Sequence, residues 1–316
     1  MPAKTWLRRL SIVLAVVVIA FYAREVARQW DGVRALGASI TIEWTTLLFS
    51  GVVVFVSYAV LIETWRRTVV AWGERLSWRE AARIWFVSNL GKYVPGKVWQ
   101  IGAMGVLAQQ AGVSPVAAVG SSLVVNLVNI VAACLVVLVA GSQVVALAGR
   151  WFVPLVVVAS LGALATPWLL PWVLAAARRL TGRELPDPKV PPSAIIVALV
   201  GCTIGWVLYG IAFRLLAVSL FGHAAGNSAS YIAVFTFSYL IGYLVLFAPG
   251  GLGARESVLQ PALTVLGLEA GAAAVLLVLA SRLWLTVLEA LPGLLLIALG
   301  RARPTPTNNR RDGPNS

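Results

Sequence analysis

Two cysteines, one histidine and 12 acidic residues in 316 positions leave few chemistries open. Cys134 and Cys202 stand alone within apolar stretches, where a thiol packs as a small hydrophobe, so no disulfide framework is expected. The single histidine, His223, in a short glycine-containing loop, provides neither a His/Cys metal cluster nor a His-based triad. No metal, no cofactor and no hydrolytic chemistry are expected, and the chain reads as a non-enzyme. Charge is also scarce, at 12% of residues against 59% hydrophobic, with a mean hydropathy of +0.87. Apolar runs recur from end to end, the pattern of an all-α polytopic membrane protein. The net charge of +13 could suggest nucleic acid, but most basic residues sit in short segments between apolar runs. That distribution is a topological signal, and no nucleic-acid partner is expected.

What is there is a series of apolar segments with two irregular interruptions. Six full spans are expected, at about 10–22, 44–62, 116–140, 151–177, 193–221 and 270–299. They form a single membrane domain over 1–300, with 24–43 and 64–83 as loops, 178–192 as a linker and 301–316 as a disordered cytoplasmic tail. Ser77-Trp78-Arg79-Glu80 has capping-box spacing and predicts a helix start. That helix stops at Leu90-Gly91-Lys92-Tyr93-Val94-Pro95-Gly96-Lys97, and a second short helix follows over 98–111. Gly112, Ser114 and Pro115 then supply a C-terminal stop, a cap and a first helical residue. Each piece is about 20 Å long at 1.5 Å per residue, too short for a core of roughly 30 Å. The pair reads as a re-entrant hairpin or as two helices lying on the surface. Asn126 and Asn129 on the following span are expected to hydrogen-bond a neighbouring helix.

The second interruption is Leu246-Phe247-Ala248-Pro249-Gly250-Gly251-Leu252-Gly253-Ala254-Arg255-Glu256. Irregular backbone at membrane depth is tolerated only against protein or a wet cavity. A helix restarting near Ala254 would turn its free N–H groups and positive end into the break, which attracts an anion. The alternative is a Pro-Gly turn between two spans, with Arg255 and Glu256 reaching for headgroups.

Of the 25 basic residues, sixteen fall in four segments: the N-terminus, 64–83, 178–189 and the tail. The positive-inside rule then puts both termini in the cytoplasm. By parity, the segment at 84–110 dips in from the cytoplasmic side and that at 228–266 from the other. The spacings agree: Gly112 follows Pro95 by 17 residues, and Gly267 follows Pro249 by 18. Two re-entrant helical hairpins and an inverted-topology repeat, with halves at about 44–140 and 193–299, are expected to meet near the midplane and form a binding site.

On Gly91–Gln100 and Pro249–Glu256 the chain resembles the flippase-like membrane family named after the transmembrane region of lysylphosphatidylglycerol synthase. The resemblance runs from about Trp6 to Leu299 and includes the intramembrane Arg282. It implies a multi-pass protein of the cell (inner) membrane, linked to moving anionic or modified lipids between leaflets. Where members of that family often carry a glutamate, this chain has Asn126. Nothing after Leu299 matches the synthase's soluble aminoacyl-transfer domain, so no synthesis of lysyl-lipid is expected.

The expected substrate has a phosphate headgroup, and its partners are membrane lipids. Lys92, Lys97, Arg255 and Arg282 would supply cations, with Gln100 and the backbone at Gly250, Gly251 and Gly253 beside them. Glu256 and Glu289 would hold the arginines when the site is empty. For Arg282 the alternative is a buried pair with Glu256 that pins the last span. Two further functions remain open: translocation of a polyprenyl-phosphate-linked sugar, and a non-transporting scaffold for a partner synthase or glycosyltransferase.

Overall fold

A computed structural model describes Arg24, Ala27, Arg28 and residues 30–93, 98–150, 152–181, 192–245 and 251–301. Those residues form helices and connections with no strand among them. In chain order the helices are α1 (Trp30–Ser39), α2 (Trp44–Ala71), α3 (Trp78–Asn89), a 3-10 turn (Leu90–Tyr93), α4 (Val98–Gln110) and α5 (Pro115–Ala140). Then come α6 (Ser142–Ala148), α7 (Phe152–Thr181), α8 (Pro192–Phe221), α9 (Ser228–Leu244), α10 (Glu256–Val265) and α11 (Gly271–Arg301). Among the described residues, four helices are long and apolar enough to cross a membrane: α2, α5, α8 and α11 as far as Leu299. Shorter apolar helices accompany them. The expected span at 10–22 and the tail beyond residue 301 lie outside the described residues.

Helix α8 is the hub, packed against α2, α5 and α9. Lipid gives helices no hydrophobic reason to associate, so close approach through small residues and interhelical hydrogen bonds must do it. Gly201 and Gly205 form such a face. A Cβ at Gly201 would fall 2.0 Å from Thr64 Oγ1 on α2, and one at Gly205 would fall 3.0 Å from Leu61. Hydroxyls on α2 then reach the α8 backbone: Ser57 donates to Gly205 O at 3.2 Å and Ser50 to Ala212 O at 2.8 Å. On the other side, Trp206 Nε1 donates to Asn129 O of α5 at 3.1 Å.

Outside the two interruptions, three boundaries differ from the sequence expectation. Helix α2 continues to Ala71 rather than ending near 62, because Glu63 pairs with Arg66 and Arg67 at 2.7 and 2.8 Å, one turn on. The supposed loop at 24–43 contains α1, which lies on the start of α11 with Gly32 close to Ala272. Helix α7 runs through Thr181 and takes in the first residues of the expected linker.

Both interruptions are breaks between short helices. Before the first, Ser77 and Glu80 make the anticipated capping box, Ser77 Oγ accepting from Glu80 N and Glu80 Oε2 from Ser77 N. After it, Gly91 lies so close to α4 that a Cβ would sit 2.7 Å from the backbone nitrogen of Gln100. In the second, α9 ends at Leu244 and α10 begins at Glu256, two residues later than expected, after a turn with Gly251 at φ +70°. The two breaks finish alike. Gly112 and Gly267 take positive φ, and the next residue donates five back, Val113 N to Ala108 O and Leu268 N to Leu263 O, both at 2.9 Å.

Candidate substrate cavity

Residues from both breaks line one cavity of about 560 Å³. The first break contributes Asn89, Lys92 and Gln100; the second contributes Tyr239, Gly251 and Arg255; α11 contributes Glu289. Gln100 Nε2 donates to Asn89 Oδ1 at 2.6 Å, tying the end of α3 to the start of α4. Lys92 Nζ donates to the Glu289 carboxylate across 197 positions of sequence. Gly293, one turn beyond Glu289, makes that pairing possible: a Cβ there would stand 3.0 Å from Phe86 O and from Leu90 Cδ1. A bare backbone at 293 lets α11 lie against the first break.

Arg255 is 3% exposed. Its guanidinium carbon lies 4.1 Å from the Tyr239 ring centroid and 4.9 Å from that of Phe235, and Nη2 donates to Ser281 Oγ at 3.2 Å. Such stacking suits a planar, weakly hydrated cation in a dry place. Arg255 thus reaches the cavity wall, and the protein already grips it.

Glu256 turns the other way. Its Oε1 accepts from Arg282 Nη1 at 2.9 Å, and its Oε2 accepts from Gly253 N at 2.7 Å. One carboxylate thus secures the first turn of α10 and pins it to α11. Glu256, Arg282 and Gly253 are not among the residues lining the cavity. Glu289 pairs with Lys92, a cation that the sequence reading assigned to the substrate. Lys97 and Gly250 lie outside the described residues.

Sequence reasoning missed the aromatic wall. Tyr58, Trp65 and Trp85 line the cavity from α2 and α3, and Trp206, Tyr209, Tyr239 and Tyr243 from α8 and α9; among the described residues no phenylalanine lines it. A signal existed, since Tyr58 and Tyr209 sit in mid-helix rather than at the helix ends where an interfacial belt places such rings. Asn126 and Asn129 also face the cavity, and α5 meets α8 through the backbone oxygen of Asn129 rather than its amide. Ile101 on α4 and Leu123 on α5 line the cavity yet are 46% and 58% exposed, which puts its mouth between those helices.

A sequence profile described as Lysylphosphatidylglycerol synthase TM region matches residues 8–293. The chain belongs to that family. The match includes both breaks and the residues named here that line the cavity. Membership of the lysylphosphatidylglycerol synthase TM region family and four long apolar helices make it a multi-pass membrane protein of the synthase or flippase-like kind. No curated protein matches the chain.

Proposed function

We propose that this protein is a lipid translocase that carries an anionic, phosphate-bearing headgroup through the cavity while the tail stays in the bilayer. The observation that carries the reading is the Lys92–Glu289 pair in the cavity wall. Taking a phosphate out of water is costly unless charged partners replace its hydration. Here a carboxylate occupies the place on Lys92 that a phosphate oxygen would take, so a headgroup exchanges one anion for another on the lysine, and the displaced Glu289 carboxylate, itself buried, takes up a proton or another donor. Arg255 adds fixed positive charge nearby. The mouth between α4 and α5, edged by Ile101 and Leu123, gives the acyl chains a way to remain in lipid.

The same reading gives the two breaks mirrored roles, as hairpins entering from opposite faces in an inverted repeat, with both termini cytoplasmic. Their matched glycine ends support it. A scaffold that only recruited a synthase would have no need of a polar cavity in its interior. The test reconstitutes the protein into vesicles carrying phosphatidylglycerol with a fluorescent headgroup and follows loss of the inner-leaflet signal. Lys92→Gln combined with Glu289→Gln removes both charges without stranding either, and is expected to cut the rate about tenfold or more at equal melting temperature, the cost of one charge-assisted contact. Wild-type vesicles no faster than empty ones would overturn the reading.

A further inference from the structure

The polar groups of the cavity are segregated. Among the described residues its ionised side chains, Lys92, Arg255 and Glu289, belong to the breaks and to α11, while the rest of its polar lining consists of amides, one serine hydroxyl, the Cys202 thiol and the tyrosine and tryptophan rings. The rings form a continuous wall. Trp85 and Tyr58 have centroids 5.2 Å apart, Tyr58 and Tyr209 6.0 Å, Tyr209 and Tyr239 6.3 Å, and Tyr239 and Trp206 5.7 Å. Tyr239 is also the ring beneath the Arg255 guanidinium. The aromatic wall therefore starts at a cation and leads away from it.

Space points the same way. At about 30 Å³ per water, the cavity has room for roughly twenty, far more than a phosphate alone fills. We infer that the headgroup is a sugar joined to the lipid through a phosphate, which deepens the reading above and rests on it. A pyranose has an apolar C–H face that lies against the negative face of an aromatic ring, and an edge of hydroxyls that both donate and accept. Asn89, Gln100, Asn126 and Asn129 carry side-chain amides that do both in return. Tyrosine and tryptophan tolerate a polar ligand that phenylalanine would not, and Phe213 and Phe235 pack behind the wall instead. An aminoacylated headgroup brings an extra ammonium, and the carboxylate that lines the cavity among the described residues, Glu289, is already engaged by Lys92.

The experiment measures binding to the full-length protein in detergent by native mass spectrometry. Its probes are polyprenyl phosphate, the same lipid carrying one glucose, phosphatidylglucose, phosphatidylglycerol and lysylphosphatidylglycerol. The glucosylated lipid of either tail type is expected to bind about tenfold tighter than its unglycosylated counterpart, and whichever tail binds better identifies the source. Trp85→Leu and Asn126→Leu should each bring that ratio to about one; if Trp85→Leu fails to fold, Asn126→Leu carries the comparison. Equal binding with and without glucose overturns the sugar while leaving the phosphate reading intact. No binding of any phosphate lipid overturns both. A preference for lysylphosphatidylglycerol over all other probes makes the wall a cation cage and overturns the inference.

Discussion

The two breaks share a plan and differ in what they do with charge. Each separates two short helices, and each ends in a positive-φ glycine with the same pair of backbone hydrogen bonds. In the first, Lys92 keeps 27% of its side chain exposed and reaches across the cavity to Glu289 on α11. In the second, Arg255 is buried under two rings and Glu256 turns away from the cavity to Arg282. The two ion pairs are similarly part-buried, with side chains 27% and 7% exposed at Lys92–Glu289 and 19% and 5% at Arg282–Glu256, so opening either one leaves a carboxylate that must find another donor. What separates them is place: the pair of the first break lines the cavity, where a ligand can compete for it, and the pair of the second does not.

The largest expected effect is at the held pair. Arg282→Ala leaves the 5%-exposed Glu256 carboxylate without its cation and should cost about 3–5 kcal/mol, read as a lower melting temperature in detergent. Glu256→Gln with Arg282→Gln should recover part of that loss; a double variant no more stable than Arg282→Ala would mean that the pair does not hold the break. Charge-preserving swaps sharpen the contrast at the next level down. Arg255→Lys keeps the charge but loses the planar group over Tyr239, at an expected cost of about 1–2 kcal/mol. Lys92→Arg should stay within about 0.5 kcal/mol, because a guanidinium also meets a carboxylate. Equal losses in thermal melting would erase the distinction between the breaks.

The smallest effect lies just beyond their ends. After the first, Glu74 Oε1 accepts from Ser114 N at 3.2 Å. After the second, Glu269 Oε1 is buried without a hydrogen bond, and burial raises this carboxyl above the ordinary carboxylate value, with His223 opposing the shift. Because the folded-state pKa is the higher one, this group's stabilising contribution is full below the unfolded value and is lost as pH rises through the folded one. Glu269→Gln should therefore raise the melting temperature at neutral pH, with the gain vanishing as pH falls below the ordinary carboxylate range. A gain independent of pH would assign it to packing instead.

How far the sequence could be read depended on distance along the chain. The capping box at Ser77, the stop at Gly112 before Pro115 and the stop at Gly267 are local, and their residue types report them directly. The Arg282–Glu256 contact was anticipated because both charges sit in apolar segments with few other partners. Misreadings came where charge was equated with loop: Glu63, Arg66 and Arg67 extend α2 by pairing along the helix, and the charged 24–43 segment contains α1.

By itself, then, the sequence determined the membrane class, the two breaks and the helix ends marked by Ser77 and Gly112, since hydropathy, proline, glycine and caps act within a few residues. Only the tertiary structure decided that Glu289 answers Lys92, that Arg255 is gripped rather than open, and that tyrosines and tryptophans from α2, α3, α8 and α9 face one space. Those outcomes depend on which helix surfaces approach closely, through bare positions such as Gly201, Gly205 and Gly293. Van der Waals fit between distant segments sets that choice, and no local pattern encodes it.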